Sequence, residues 1–129
     1  MAVKIIHRYT RDMLQARPND LFLFGDNMER WGLGGQAFAC RGEPNAVGLP
    51  TLWAPGKFFC NADLNKPTVQ YAINDAIDRL RNYLDAGGTV VLPADGIGTG
   101  LARLPEMAPL IHDYITKQIE ALCGKGSPE

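Results

Sequence analysis

Residues 21–39 read LFLFGDNMERWGLGGQAFA, and the fold turns on this stretch: four apolar residues stop abruptly at Gly25-Asp26-Asn27 and give way to Gly32, Gly34 and Gly35. An uninterrupted apolar run bounded by turn residues predicts a strand buried on both faces, as in a parallel sheet covered by helices. Ligands of such sheets bind beyond the carboxyl ends of the strands. Asp26, Asn27 and the glycines are therefore expected at the mouth of a site.

Working outward, the same event recurs at residues 89–100, TVVLPADGIGTG, where a β-branched strand candidate ends in an aspartate and three glycines. Between the two lies an amphipathic helix, with Val69, Ala72, Ile73, Ala76, Ile77, Leu80 and Leu84 on one face and Asp75, Asp78, Arg79 and Arg81 on the other. Thr68 is its expected cap, and Gly87-Gly88 its stop.

Ahead of residue 21, residues 3–7 read as a strand, and Thr10 caps a short helix that Pro18-Asn19-Asp20 closes. After the first glycine loop, residues 35–40 suit a short helix starting at the glycines, residues 46–49 a short strand, and residues 50–56 an irregular segment stiffened by Pro50 and Pro55. A last helix begins near Leu104-Pro105 and carries Met107, Leu110, Ile111, Tyr114, Ile115, Ile119 and Leu122 as its stripe. Strands alternating with helices predict one α/β domain over residues 1–124, with a mainly parallel or mixed sheet flanked by helices and a flexible tail at 125–129. Both glycine loops then share one edge of the sheet.

Composition limits the functional classes. The chain has 129 residues, 46% of them apolar, which suits a single core without disulfides or metals, and its formal net charge of -1 provides no general attraction to nucleic acid or anionic membranes. No apolar run approaches the roughly 20 residues of a membrane span, and the N-terminal residues lack a signal-peptide core. Three cysteines, Cys40, Cys60 and Cys123, make an odd set without CxxC spacing, which points to a reducing cytoplasm. With His7 and His112 they form no zinc pattern, so neither metal nor cofactor is expected.

The glycine loops carry the candidate chemistry. Three glycines in DGIGTG let consecutive N–H groups converge on a phosphate, with Thr99 adding a hydroxyl donor and a following helix its dipole. Neither the Walker pattern nor GxGxxG is present, and a tight strand-to-helix turn explains either loop taken singly. Asp26 and Asp95 can accept from a sugar hydroxyl or amino group, act as a base or nucleophile, or merely tie off the turn that follows. Arg41 can reach a phosphate or pair with Glu43. Trp31 and Trp53 can each stack on a base or bury, with Trp31 the better placed for a ligand, while Phe58 and Phe59 suit a loop anchored to the core. Cys40 and Cys123 suit packed small hydrophobes.

Strand, Asp26-Asn27, Gly34-Gly35, then a late strand and Gly98-Thr99-Gly100 before a final helix: this order resembles the macrodomain, a three-layer sandwich that binds ADP-ribose. The resemblance implies a pocket in which Asn27, Gly34, Gly35 and Gln36 serve the ribose side and Gly96, Ile97, Gly98, Thr99 and Gly100 the diphosphate; Gly25 and Trp31 are further ligand-binding candidates, and Asp26 and Asp95 are the catalytic candidates by their own chemistry. The combination FGDN, GGQA and RGEPNAVGLPT is also similar to small uncharacterised proteins of bacteriophages and bacteria. Three functions are expected from these readings: binding or sequestration of an ADP-ribose-like nucleotide, hydrolysis of an ADP-ribose derivative, or a non-enzymatic protein-interaction module.

Overall fold

A computed structural model of the chain describes residues 2–126. Four strands, β1 (Ala2–Ile6), β2 (Asp20–Asp26), β3 (Ala46–Pro50) and β6 (Thr89–Pro93), form one sheet in the order β1-β6-β2-β3, with every pairing parallel. The apolar run at 21–24 does bury on both faces. Leu21 and Leu23 join one core with Val47, Leu49, Val90 and Leu92, whereas Phe22 and Phe24 join a second core with Val91. This period-two alternation sends successive side chains to opposite helical layers.

On the first face α3 (Pro67–Asp85) and α5 (Pro109–Gly126) cover the sheet, with Ile73, Ile77, Leu80, Leu84, Ile111 and Ile115 all buried. On the second face lie α1 (Arg11–Ala16) and α2 (Ala37–Cys40), with Tyr9, Leu14, Ala37, Ala39 and Cys40. The architecture is thus α/β, a parallel sheet flanked by helices. Thr10 caps α1 as expected, its hydroxyl accepting from the Met13 amide at 3.1 Å.

Several boundaries differ from expectation, each for a local reason. Residues 50–56 are not irregular: β4 (Leu52–Ala54) and β5 (Lys57–Phe58) form an antiparallel hairpin, turned by Pro55 and a left-handed Gly56 at φ 79°. Pro followed by Gly is the signature of a type II turn. Helix α3 is opened not by a Thr68 cap but by Pro67 in its first turn, where the missing N–H costs nothing. The last helix is split, because α4 (Leu104–Met107) ends at Ala108 and α5 starts afresh at Pro109. Met107 and Leu110 consequently stand exposed, and the buried stripe is carried by Ala108, Ile111, Ile115 and Leu122. Helix α5 extends to Gly126, and the rest of the expected tail, 127–129, lies outside the described residues. No helix is long and apolar enough to cross a membrane among those residues.

Candidate functional site

Strands β2 and β6 are neighbours whose following segments leave toward opposite faces, β2 to α2 and β6 to α4 and α5. Such a switch point opens a crevice at the carboxyl ends of the strands. Here the two strands pair only from Asp20↔Thr89 to Phe22↔Val91 and then diverge. Tyr9 fills the fork, its buried hydroxyl lying 2.8 Å from the Leu23 carbonyl and 3.3 Å from that of Val91. Burial, and Cys40 alongside, push the phenol above its ordinary pKa, so it remains a neutral donor.

Above Tyr9 is a cleft of about 950 Å³ that includes both glycine loops, the end of β1 and the β4–β5 turn. All the sequence-predicted site residues line it: Gly25, Asp26, Asn27, Trp31, Gly34, Gly35 and Gln36 from the first loop, and Asp95, Gly96, Ile97, Gly98, Thr99 and Gly100 from the second. The loops come close. An added Cβ at Gly25 would sit 3.8 Å from the Gly98 amide nitrogen, and one at Gly34 only 2.7 Å from a Leu101 methyl.

The first loop is built from side chains. Asp26 is 5% exposed, and both its oxygens take the Arg41 guanidinium, at 2.7 and 2.9 Å. The Asn27 amide donates to the same carboxylate at 2.8 Å and Arg30 lies 3.4 Å away. This bond to Asp26 holds Arg41 above its ordinary pKa although partial burial opposes it. Gly48 on β3 makes room for the pair, since a Cβ there would lie 2.5 Å from Asp26 Oδ2. Arg41 also donates through Nε to the Gly32 carbonyl at 3.2 Å, while Glu43, its expected partner, instead takes Arg11 at 2.6 Å. Asn27 bonds the main chain of Trp31, and Gln36 ties the loop to the end of β1 by accepting from the Tyr9 amide and donating to the His7 carbonyl. Asp26 with its lone pairs so occupied orients the loop; it does not present a free base.

The second loop is built from backbone. Ile97 is buried in the core at 4% exposure, Gly96 and Gly98 adopt φ of 85° and 80°, and a Cβ on Gly98 would meet Leu104 at 2.8 Å. Thr99 spends its hydroxyl proton on the Asp95 carbonyl at 2.9 Å, so it is a loop tie and not the expected phosphate donor. The amides of Gly98, Thr99 and Gly100, like those of Gly32 to Gln36 in the first loop, have no protein acceptor among the described residues. Loop N–H groups of this kind are the donors an anion requires. The expected helix dipoles are absent: α2 and α4 are four residues each, and α5 begins nine residues beyond Gly100.

Asp95 differs from Asp26 in every respect. Its side chain is 70% exposed, and its Oδ1 lies 3.6 Å from Nδ1 of His7. Arg8 and Tyr9 carry no signal in the sequence and His7 enters it only as a zinc candidate, yet all three sit where the carboxyl end of a parallel β1 must place them. The rule that all parallel strands end on one edge would have found them.

Other expectations resolve into packing. Trp53 is half-buried, its ring 5.2 Å from that of Phe59 and its indole N–H on Asp63 at 3.2 Å. Burial pushes the Cys40 thiol up to about 12, as befits a core residue. No three His, Cys, Asp or Glu side chains form a metal site among the described residues.

No curated protein and no solved structure matches this chain. A family model described as "Family of unknown function (DUF7831)" matches residues 4–118. Those residues contain the whole sheet beyond its first two positions and both glycine loops, and the chain belongs to that family.

Proposed function

We propose that the chain is a macrodomain-like protein that binds ADP-ribose or a related NAD-derived nucleotide in the cleft, holding or sequestering it. One observation carries this reading: two glycine loops, each rich in N–H groups without a protein acceptor, meet over a single cleft at the switch point of a parallel sheet. The volume, about 950 Å³, is ample for a small-molecule ligand. The three free thiols support a reducing cytoplasm as the setting, and the similarity of FGDN, GGQA and RGEPNAVGLPT to small phage and bacterial proteins suggests a bacterial or phage-infected one. Thermal shift and titration calorimetry with ADP-ribose, ADP and NAD test the reading. Ligand at 100 times its Kd stabilises the protein by about 2.7 kcal/mol, and nucleotides that never move the melting temperature leave the interaction-module alternative.

A hydrolytic reading rests on Asp95, the exposed carboxylate beside His7. In it Asp95 takes a proton from water as the water oxygen bonds the anomeric carbon, and the bond to an ester-linked side-chain carboxylate breaks with its electron pair leaving on that carboxylate, while loop amides hold the diphosphate. Incubation with ADP-ribosylated protein, whose linkage is at the anomeric carbon, separates the two readings: turnover lost in Asp95→Asn supports hydrolysis, and tight binding with unchanged substrate supports sequestration alone.

A further inference from the structure

Trp31 is 54% exposed in the wall of the cleft, yet little about it is free. The Asn27 side chain bonds both main-chain groups of Trp31, donating to its carbonyl at 2.6 Å and accepting from its amide at 3.5 Å. Glu29 accepts from the indole N–H at 2.9 Å, so the ring orientation is fixed as well. The residues on either side are both left-handed, Arg30 at φ 61° and Gly32 at φ 103°. The strain at a non-glycine Arg30 is offset by its guanidinium, which bonds the Gly48 carbonyl at 2.7 Å and approaches Asp26. A loop that merely turned would need none of these restraints on an exposed indole.

The other tryptophan shows what a structural indole looks like here: Trp53 packs on Phe59 and bonds Asp63 outside the cleft. Trp31 instead shares the cleft with three more exposed apolar side chains, Leu33, Phe38 and Leu101. Amide donors for an anion and a rigid aromatic plate therefore occur in the same cavity, and a planar ring attached to a phosphate satisfies both.

Resting on the nucleotide reading above, we propose that Trp31 is the stacking platform for a heterocyclic base, so that the cleft selects nucleotides over sugar phosphates or inorganic phosphates. Stacking of a base on an aromatic side chain contributes roughly 5- to 150-fold in affinity.

The test uses Trp53→Phe, which leaves Trp31 as the sole indole, titrated with ADP-ribose, ADP, ribose 5-phosphate and pyrophosphate. Trp31 emission should change with the two base-bearing compounds and not with the other two. In the wild-type background Trp31→Ala should weaken ADP roughly 5-fold or more and leave pyrophosphate unaffected, while Trp31→Phe retains most of the ADP affinity. Equal affinities for ADP and pyrophosphate with unchanged emission would overturn the platform and leave anion binding intact. Failure of all four compounds to bind would overturn the nucleotide reading and the platform with it.

Discussion

The two glycine loops look alike in sequence and are held by opposite means. In the first, charged and amide side chains do the holding: Asp26, Arg41, Arg30, Asn27 and Gln36 fasten a backbone that makes few bonds of its own. In the second, left-handed glycines and one buried isoleucine set the path, and the side chains facing the cleft are largely free of it. Glycine therefore means different things at the two places. At Gly98 it is a steric and conformational requirement, whereas in the first loop Gly32 and Gly35 are required for their positive φ without being crowded, and Gly34 gives way to an exposed leucine.

Substitutions that exchange the two logics sharpen this contrast. The largest effect is expected from Gly98→Val, which places a β-branched side chain at φ 80° and drives it into Leu104; a loss of about 4 kcal/mol or more in urea unfolding should follow. An unchanged midpoint there would break the account of the second loop. Next comes Arg41→Ala, which leaves the buried Asp26 carboxylate with the Asn27 amide and, for its charge, a distant Arg30, and should cost about 3 kcal/mol. Because the defect is an orphaned charge, Asp26→Asn in the same protein should recover part of it, and a double-mutant cycle reads the coupling.

Tyr9→Phe lies between the loops and should cost about 1–2 kcal/mol by leaving two strand carbonyls without their donor. It also carries a pH signature. The folded phenol is raised above its unfolded value of about 10, so its contribution is complete below that pH and is lost as pH rises beyond it. Alkaline unfolding followed by circular dichroism should therefore be less steep in Tyr9→Phe than in the wild type. The smallest effect belongs to Gly34→Ala, within about 0.5 kcal/mol, since the Leu101 methyl it meets is the end of an exposed, mobile-jointed side chain. A large loss at Gly34 would show that the first loop too depends on its backbone.

Much of the sheet was legible because buried parallel strands write themselves as short apolar runs, and 21–24 and 89–93 are such runs. The gathering of both loops on one cleft followed from strand direction alone. What could not be read was who pairs with whom. Arg41 lies fifteen positions from Asp26 and two from Glu43, so proximity along the chain favours the wrong acid; the pairing with Asp26 is a tertiary contact, in a space that the missing Cβ of Gly48 leaves for the carboxylate. Likewise Thr99 has the chemistry of a phosphate ligand, but its hydroxyl donates to its own loop's Asp95 carbonyl. The hairpin at 52–58 was a different kind of miss, since Pro55-Gly56 states its turn type openly and the flanking strands are merely too short to show a period.

The strand order has a consequence for how the molecule comes into being. Strand β1, among the described residues, pairs only with β6, which is made some 85 residues later and must insert between β1 and β2. During synthesis β2 can zip to β3 at once, while the first strand waits beside a gap one strand wide. The second glycine loop arrives with β6, so the cleft cannot form until the sheet has taken in its fourth and central strand.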